Sequence, residues 1–435
     1  MNLLRSYFTL FVQCLEGLRA AARLTIPLLL AGALLAWHGA VLADPGYPRL
    51  FGMNIGEKHY SDPEYQMQLA RLDVVILGFY RGWDESRSHQ SMGEIVRTLK
   101  RLNPHLLVGQ YTILNEANDN RNNTAENDKQ SKLHEAGWWL TKADGSRVQW
   151  TSEYSAWDIN ITKWAPPDLN GERYPQWLAR RDYHVFFEPV PEFDIWYFDN
   201  VMKRQRIAFA DWKRARRDQP GTDPQIQAAF RQGQRAHWKA AHALSPERIL
   251  MGNADNDLSF PEYKGRLQGA FLEGLMGKSW SPYVKKGWNG MMEHYHAVHR
   301  NLAAPRIIGF NVAGRPDDYR FLRFALTSCL MGDGYFSFTD AARGYSSVVW
   351  FDEYDVQLGV PLDSVQEKPW RDGVYRRRFE NGMVLVNPDP WPKQIRIDDG
   401  YAHFKGMQAP QVNTGLPVRT VLLGPKDGVL LVKGR

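Results

Sequence analysis

Two apolar runs in the chain each carry one carboxylate near their end. The run FDIWYFDN contains Asp199, and the run GAFLEGL contains Glu273. Continuous apolar runs bounded by turn residues are typical of strands that are buried on both faces, as in a parallel sheet covered by helices. Acids at the C-terminal ends of such strands meet at the mouth of a (β/α)₈ barrel. Because two facing carboxylates can cleave a glycosidic bond, we predict Asp199 and Glu273 as a catalytic pair.

Eight strand-like runs could build the barrel that holds these two acids. They are LFGMNIG, DVVILGFYRGW, LLVGQYTILNE, FDIWYFDN, RILMGNADN, GAFLEGL, RIIGFNVAG and GDGYFSFTD. Segments with helical spacing, such as PEYQMQLARL and MGEIVRTLKRL, lie between several of them. This alternation predicts an α/β fold of the (β/α)₈ type. A doubly wound open sheet is the alternative, although no G-x-G-x-x-G follows a strand to support its dinucleotide-binding form.

Two further regions accompany the barrel pattern. Residues 117–191, between the third and fourth strands, form an insertion that is rich in tryptophan and too long for an ordinary connection. We expect it to form part of a substrate groove. After Asp340 the pattern changes to short strands with an ENG hairpin signal. It predicts a small antiparallel β domain over residues 366–435, after a catalytic barrel over residues 44–365.

The N-terminus has the layout of a secretory signal peptide over residues 1–43. Arginines precede the apolar run LTIPLLLAGALLAW, and Val41 and Ala43 fit the pattern of a cleavage site. An uncleaved membrane anchor is the alternative, because the apolar run is nearly long enough to span a bilayer. Cleavage would lower the formal charge from +6 to +4 and remove Cys14, which leaves Cys329 and excludes an intrachain disulfide. We expect a secreted or periplasmic protein.

The composition favours a carbohydrate partner over a nucleic acid. The mild basic excess is scattered, and groups such as KRARR are typical of a solvated helix face. The 16 Trp and 19 Tyr suit sugar binding because aromatic faces stack on pyranose rings, although most such rings belong to the core of any protein. We expect a carbohydrate substrate, no cofactor, no nucleic-acid partner and no stable membrane insertion after signal cleavage.

Polar and aromatic residues near the predicted strand ends and in the insertion could bind sugar hydroxyls and rings. The predicted substrate-binding residues are Asn54, Glu57, Tyr80, Tyr111, Trp157, Asn253, Asp255, Asn311 and Asp340. Loop acids and amides also cap helices and turns, which is the structural alternative for each of them. The spacing of Glu293, His294, His296 and His299 does not match a zinc-binding helix, and no metal site is predicted.

The densest acid cluster is formed by Asp352, Glu353 and Asp355. Because these residues follow the last barrel strand, we expect them to be structural or to lie at the rim of the barrel. A rival assignment makes Glu353, in place of Glu273, the acid/base partner of Asp199.

Three segments resemble a known family. FDIWYFDN, WFDEYDVQLGVP and RRFENGMVLVNP resemble the hypothetical glycosyl hydrolase family 15, over nearly all of the chain after residue 43. The fourth-strand Phe-Asp is more distantly similar to endo-α-1,4-polygalactosaminidases and to the α-galactosidase clan. In that clan a fourth-strand Asp is the nucleophile and a sixth-strand acid is the proton donor, which implies these roles for Asp199 and Glu273. The chain departs from the clan by having Glu at the second position, which puts the α-galactosidase substrate in doubt more than the chemistry.

These observations combine into one predicted function with two rivals. The prediction is an exported glycoside hydrolase that cleaves a polysaccharide or oligosaccharide by a retaining two-carboxylate mechanism. An α-linkage is implied by the resemblance alone. The rivals are a non-catalytic glycan-binding barrel and an inverting glycosidase that pairs Asp199 with a more distant acid.

Overall fold

A computed structural model describes residues 46–56, 58–86, 90–119 and 127–434 of the chain. The predicted signal peptide and Glu57 lie outside these residues. The strands are β1 (Phe51–Asn54), β2 (Val74–Leu77), β3 (Leu107–Ile113), β4 (Glu116–Asn118), β5 (Ala156–Asp158), β6 (Ile195–Val201), β7 (Phe209–Ala210), β8 (Gln219–Pro220), β9 (Ile249–Ala254), β10 (Gly269–Met276), β11 (Ile307–Gly314), β12 (Tyr335–Asp340), β13 (Tyr375–Phe379), β14 (Gly382–Asn387), β15 (Lys393–His403), β16 (Pro417–Leu423) and β17 (Asp427–Lys433). The α-helices are α1 (Pro63–Ala70), α2 (Trp83–Ser86), α3 (Met92–Leu102), α4 (Asn127–Glu135), α5 (Tyr174–Asp182), α6 (Pro224–Leu244), α7 (Pro282–Asn301) and α8 (Tyr319–Cys329).

Eight parallel strands form the central sheet. Their order is β1-β2-β3-β6-β9-β10-β11-β12, and a parallel bridge between Leu50 and Phe336 joins the two outer strands. The sheet therefore nearly closes into a barrel, and the prediction of a (β/α)₈ fold is confirmed. Each of the eight predicted runs coincides with one of these strands, and β6 and β10 extend one residue beyond their runs. The connection from β9 to β10, residues 255–268, contains no helix.

Alternate residues of the barrel strands pack into two different cores. In β2, Val74 and Ile76 join the cluster inside the barrel, whereas Val75 and Leu77 join the layer between the strands and the helices. Because both faces are buried, the strands have continuous apolar sequences without a polar alternation. The alternation has a period of two, so it also decides which residue at the end of each strand faces the barrel mouth.

Short capping motifs fix the starts of several helices. Ser91 and Glu94 form a capping box at α3, and the side chains of Asp62 and Asp223 accept hydrogen bonds from backbone N–H groups at the starts of α1 and α6. In the part of the chain that the structure describes, no helix combines the length and the apolar character needed to cross a membrane.

The insertion after β3 has a small core of its own. Its strands β4 and β5 pair antiparallel, with Glu116 opposite Asp158. Trp138 and Trp139 are buried in a cluster with Trp177 and Phe230 of the flanking helices. These indoles hold the insertion on the barrel and do not face a groove.

A second, five-stranded antiparallel sheet follows the barrel, in the order β13-β14-β17-β15-β16. It packs on α8, where Arg323 makes a bidentate ion pair with Asp427 at 3.1 and 3.0 Å. A Cβ atom at Gly428 would lie 2.0 Å from the Thr327 hydroxyl, so glycine permits this close contact between helix and sheet. We retain a domain boundary after residue 365 as a proposal.

Candidate active site

A cavity of about 740 Å³ opens at the C-terminal ends of the barrel strands. Its lining includes Tyr111, Asp199, Asn253, Asp255 and Glu273, together with residues of the insertion and of later loops. This is the end of a (β/α)₈ barrel at which active sites are built.

The two-residue period of the strands places the central groups of this cavity. Tyr197 and Phe271 belong to the cluster inside the barrel, and Asp199 and Glu273 follow them by two residues on the same face. In the same way, Asn253 follows the interior residue Met251 on β9. The sequence therefore brings all three polar side chains to the top of the barrel interior.

One amide joins the two predicted catalytic acids. Asn253 Nδ2 donates hydrogen bonds to Asp199 Oδ1 at 3.0 Å and to Glu273 Oε2 at 2.9 Å. Because both bonds go to one nitrogen, the two acceptor oxygens lie within about 5.9 Å of each other. The carboxylates thus face a common space without touching.

Each acid also accepts a hydrogen bond from a tyrosine. The Tyr111 hydroxyl donates to Asp199 Oδ2 at 2.5 Å, and the Tyr345 hydroxyl donates to Glu273 Oε1 at 2.5 Å. Burial raises the pKa of both phenols well above its usual range, and the neighbouring carboxylates raise it further. Both tyrosines therefore keep their hydroxyl protons over the whole pH range in which enzymes work.

The register of each strand becomes irregular around its acid. The register of β6 against β9 shifts after Phe198, and Asn200 adopts a left-handed conformation with φ 56°. The register of β10 against β11 shifts after Leu272, and Gly274 has φ 58°. Such bulges commonly redirect side chains at active sites. The Asn200 N–H donates to Asp199 Oδ1 at 2.9 Å, so the first of these irregularities also gives Asp199 a third hydrogen bond.

Burial dominates the protonation of Asp199. It raises the pKa of the carboxyl, whereas the hydrogen bonds from Tyr111, Asn253 and the Asn200 N–H lower it; the charge of Glu273 raises it again. The net effect is an upward shift. Asp199 is therefore a carboxyl whose anion depends on its three donors.

Glu116 lines one wall of the cavity, and Asp158, which does not line it, lies opposite Glu116 in the pair of strands β4 and β5. Burial raises the pKa of Glu116, and burial together with the charge of Glu116 raises the pKa of Asp158 to about 7. Trp150 holds both acids, because its indole N–H donates to Glu116 and its backbone N–H donates to Asp158 Oδ2 at 2.9 Å. The Arg206 guanidinium lies 4.3 Å from the centre of the Trp150 ring.

Several predicted binding residues lie away from this cavity. The Asn54 side chain is buried and donates to the Tyr65 hydroxyl at 2.8 Å. The Arg147 guanidinium lies 4.7 Å from the centre of the Trp157 ring, and Trp157 packs on the core of the insertion. Tyr80 lines a neighbouring cavity of about 260 Å³ that shares Tyr111 with the first one.

Asn311 and Asp340 support the site from outside the cavity. Asn311 Oδ1 accepts the Gly274 N–H at 3.0 Å, which holds the irregularity after Glu273. Asp340 Oδ1 accepts the Ala342 N–H at 2.8 Å in the turn that leads to Tyr345. Both residues arrange the backbone around the acids and do not face the cavity.

The predicted site residues leave out several residues that line the cavity, among them Glu116, Trp150, Glu153, Tyr154, Arg206, Trp280 and Tyr345. Glu116 ends the third predicted run, so an acid after a buried strand was an available signal. Trp150 belongs to the insertion that was expected to carry aromatic groups. Tyr345 follows the last barrel strand in a segment without periodicity, and no pattern in the sequence indicates its contact with Glu273.

Glu353 and the histidines of α7 take no part in the cavity. Glu353 is fully buried, and its Oε1 accepts a hydrogen bond from Asn413 Nδ2 at 2.9 Å. His296 packs on Tyr295 inside the protein. Among the described residues, no three His, Cys, Asp or Glu side chains are grouped as a metal site would require.

Several solved structures are similar to the chain at low sequence identity. No curated protein matches the chain significantly. Among solved structures, the chain is similar to the glycoside hydrolase domain of PelA from Pseudomonas aeruginosa, with 14% identity and a TM-score of 0.43 over 70% of this chain and 97% of that one. A GH36 alpha-galactosidase variant from Geobacillus stearothermophilus has 12% identity and a TM-score of 0.45, over 90% of this chain and 56% of that one. Eubacterium rectale Amy13B has 9% identity and a TM-score of 0.49, over 89% of this chain and 94% of that one.

The family assignment rests on sequence. The model of the Hypothetical glycosyl hydrolase family 15 matches residues 100–383, which is more than half of the 435 residues. The matched segment contains both acids, the bridging amide and the two tyrosines. The chain belongs to hypothetical glycosyl hydrolase family 15 and is a glycoside hydrolase.

Proposed function

We propose that the protein hydrolyses an α-linked polysaccharide or oligosaccharide with retention of configuration, with Asp199 as nucleophile and Glu273 as acid/base. The observation that carries this proposal is the Asn253 amide, which binds one oxygen of each acid. The α-linkage and the action outside the cytoplasm are drawn from the family resemblance and from the N-terminal sequence.

The separation of the acids favours retention over inversion. Retaining glycosidases hold their two carboxyl groups about 5 to 5.5 Å apart, whereas inverting enzymes leave roughly 6.5 to 9.5 Å for a water molecule. With hydrogen bonds of 3.0 and 2.9 Å to one nitrogen, these two oxygens cannot be further apart than about 5.9 Å. This short span between the bridged oxygens favours the separation of a retaining enzyme over that of an inverting one.

In the first step, Asp199 attacks the anomeric carbon while Glu273 gives its proton to the glycosidic oxygen, so that an ester forms and the leaving sugar departs. In the second step, Glu273 takes a proton from water, and the resulting nucleophile cleaves the ester. The donors on Asp199 stabilise its charge before attack and after departure of the product.

Asp199 suits the nucleophile role better than Glu273 does. It accepts three hydrogen bonds, and one of them comes from the backbone N–H of the next residue. Those donors hold a short side chain in one orientation and support its anion. Glu273 has a longer side chain and accepts two hydrogen bonds, one of them from a hydroxyl that can reverse its direction.

Aromatic rings along the cavity supply surfaces for sugar stacking. Trp150 and Tyr154 line it from the insertion, and Trp280 lines it from the loop after β10. Tyr154 and Trp280 are 56% and 46% exposed, so their faces are available to a ligand. We propose that these rings bind sugars on either side of the cleaved bond.

Two isosteric variants test the roles. In Asp199→Asn, the amide oxygen can keep the bonds to Asn253 and Asn200 while its nitrogen donates to the Tyr111 hydroxyl, so the shape of the site persists. We expect this variant to lose turnover and to keep glycan binding. Glu273→Gln should slow substrates with poor leaving groups far more than activated aryl glycosides. Turnover by Asp199→Asn at the wild-type rate would refute the mechanism.

Glu116 supports one competing function, an inverting hydrolase. It is a cavity acid with a raised pKa, as a proton donor opposite Asp199 would require. The anomeric configuration of the first product, followed by NMR before mutarotation, separates the two mechanisms. Retention together with an active Glu116→Gln variant supports the assignment of Glu273, whereas inversion and an inactive Glu116→Gln variant support Glu116.

A further inference from the structure

The hydroxyl of Tyr345 contacts Glu273 from a segment outside the barrel strands. Tyr345 lies in the loop after β12, and its ring packs against the cluster inside the barrel. Its hydroxyl lies 2.5 Å from Glu273 Oε1, whereas Asn253 Nδ2 donates a hydrogen bond to Glu273 Oε2. The two oxygens of Glu273 thus have partners of different chemistry.

These partners respond differently when Glu273 changes its protonation state. An amide nitrogen only donates, so a proton on Oε2 would weaken the bond from Asn253. A phenol hydroxyl donates to a carboxylate and accepts from a carboxylic acid after a simple rotation. The proton of Glu273 therefore belongs on Oε1, on the side of Tyr345.

We propose that Tyr345 is a positioning residue that reverses its hydrogen bond with Glu273 between the two halves of the reaction. It accepts from Glu273 when the acid is protonated, before the proton passes to the glycosidic oxygen. It donates to Oε1 once the carboxylate is charged and must take a proton from water. This inference rests on the proposed role of Glu273 as acid/base.

The loop that carries Tyr345 is built to hold it in place. Asp340 accepts hydrogen bonds from the N–H groups of Ala342 and Gly344, through its side chain and its backbone oxygen, both at 2.8 Å. A Cβ atom at Gly56 would lie 3.1 Å from the Ser346 nitrogen, so the loop packs closely on the segment after β1. A side chain held this way can rotate its hydroxyl without moving its ring.

Other charges face the same acid and bear on its titration. The charged groups that line the cavity around Glu273 are Glu116, Glu153, Asp199, Asp255 and Arg206. None of these side chains has a hydrogen bond to Glu273 among the contacts of the described residues. The bond to Tyr345 distinguishes the charged from the neutral state of Glu273 most directly, because hydrogen bonds to charged groups are the stronger ones.

The test is the pH profile of kcat/KM for Tyr345→Phe, measured with an unactivated α-linked oligosaccharide that the wild-type protein cleaves, because such a substrate needs the proton of Glu273. Loss of the donor removes stabilisation from the charged form of Glu273. The basic limb of the profile, where kcat/KM falls as the pH rises, should therefore lie at a pH about one unit higher. A 4-nitrophenyl α-glycoside, whose leaving group needs little protonation, reports the second step: because the charged form of Glu273 also acts as the base, kcat should fall about tenfold and a burst of nitrophenol should precede the steady state. A uniform loss of rate at every pH, with an unmoved limb, would overturn the inference.

Two variants serve as controls. Tyr154→Phe removes a hydroxyl from the same cavity that has no hydrogen bond to Glu273, and its basic limb should stay in place whatever its effect on rate. Asp340→Ala keeps the Tyr345 hydroxyl but loosens its turn, and it should move the limb in the same direction by a smaller amount. This second variant keeps the inference testable if Tyr345→Phe folds poorly.

Glu273→Gln separates this inference from the proposed function. If Glu273→Gln loses the basic limb and Tyr345→Phe leaves it unmoved, the role of Tyr345 is refuted and the acid/base assignment stands. If Glu273→Gln keeps the basic limb, the acid/base assignment itself fails.

Discussion

Replacing Asn253 tests whether the two acids act as a joined pair. Asn253→Ala removes one donor from Asp199 and one from Glu273. A hydrogen bond to a charged group contributes about 1.5 to 3 kcal/mol, and water in the cavity can replace part of it. We take about 3 kcal/mol for the two bonds together, which corresponds to a loss of roughly 150-fold in kcat/KM.

The isosteric variant Asn253→Asp sharpens this prediction. It keeps the shape of the side chain but places a third carboxylate between two others. At about 4 Å and an effective dielectric constant of about 20, each like-charge contact is unfavourable by roughly 4 kcal/mol, so one of the acids must hold an extra proton. We therefore expect Asn253→Asp to be less active than Asn253→Ala. A role of Asn253 in packing alone would give the opposite order.

The assay is the initial rate of nitrophenol release over a range of pH, with thermal unfolding measured on the same samples. Asn387→Ala is the matched control, because Asn387 is a buried amide in the second sheet and donates to two backbone oxygens at 2.8 Å. It should lower stability and leave kcat/KM close to wild type. If Asn253→Ala stays within about fourfold of wild type with an unchanged pH profile, the joined pair is refuted.

Three further predictions concern the burial of Asp199, the ring of Trp150 in the cavity wall and the burial of Glu353. Burial raises the pKa of Asp199, so the acid limb of the kcat/KM profile should lie above the usual Asp pKa near 4. An acid limb below about pH 4 would contradict this. Trp150→Ala removes a ring from the cavity wall, and KM should rise roughly tenfold in steady-state kinetics if that ring contributes about 1.4 kcal/mol of stacking. Burial also raises the pKa of Glu353, so the folded state binds its proton more tightly than the unfolded state does, and stability is lost as pH rises towards the folded pKa. Glu353→Gln should therefore gain stability relative to wild type between pH 4 and pH 8 in urea unfolding, and a constant difference would argue against a neutral Glu353.

The barrel was predictable because its strands are buried on both faces. Such strands have apolar sequences in which any carboxylate stands out, and this made Asp199 and Glu273 visible at the ends of their runs. The same period of two could have excluded Asn54 from the predicted substrate-binding residues. It follows the inward residue Met53 by one position, so its side chain must leave the barrel on the outer face.

The contacts between distant segments were not predictable in this way. Tyr345 reaches Glu273 from 72 residues further along the chain, through a loop with no regular period. The tryptophans of the insertion look alike in the sequence, but Trp138 and Trp139 form its core, and Trp150 lines the cavity. Composition indicates how many rings there are, and only packing decides which of them face solvent.

The acids of the cavity influence one another in a continuous series. Burial is the largest cause of each raised pKa, and in every case a neighbouring charge adds to it: Glu273 acts on Asp199, Asp199 on Glu116, and Glu116 on Asp158. Arg206 is the one basic side chain among the described residues of the lining, and it lowers the pKa of both Glu116 and Asp158. A proton added to Asp199, Glu116 or Asp158 relieves repulsion on its neighbour, so these three carboxyls hold protons at a higher pH than isolated carboxyls would. A glycosidase needs one proton donor beside one anion, and the three donors on Asp199 lower the pKa of this carboxyl against the effect of burial, as the proposed nucleophile requires.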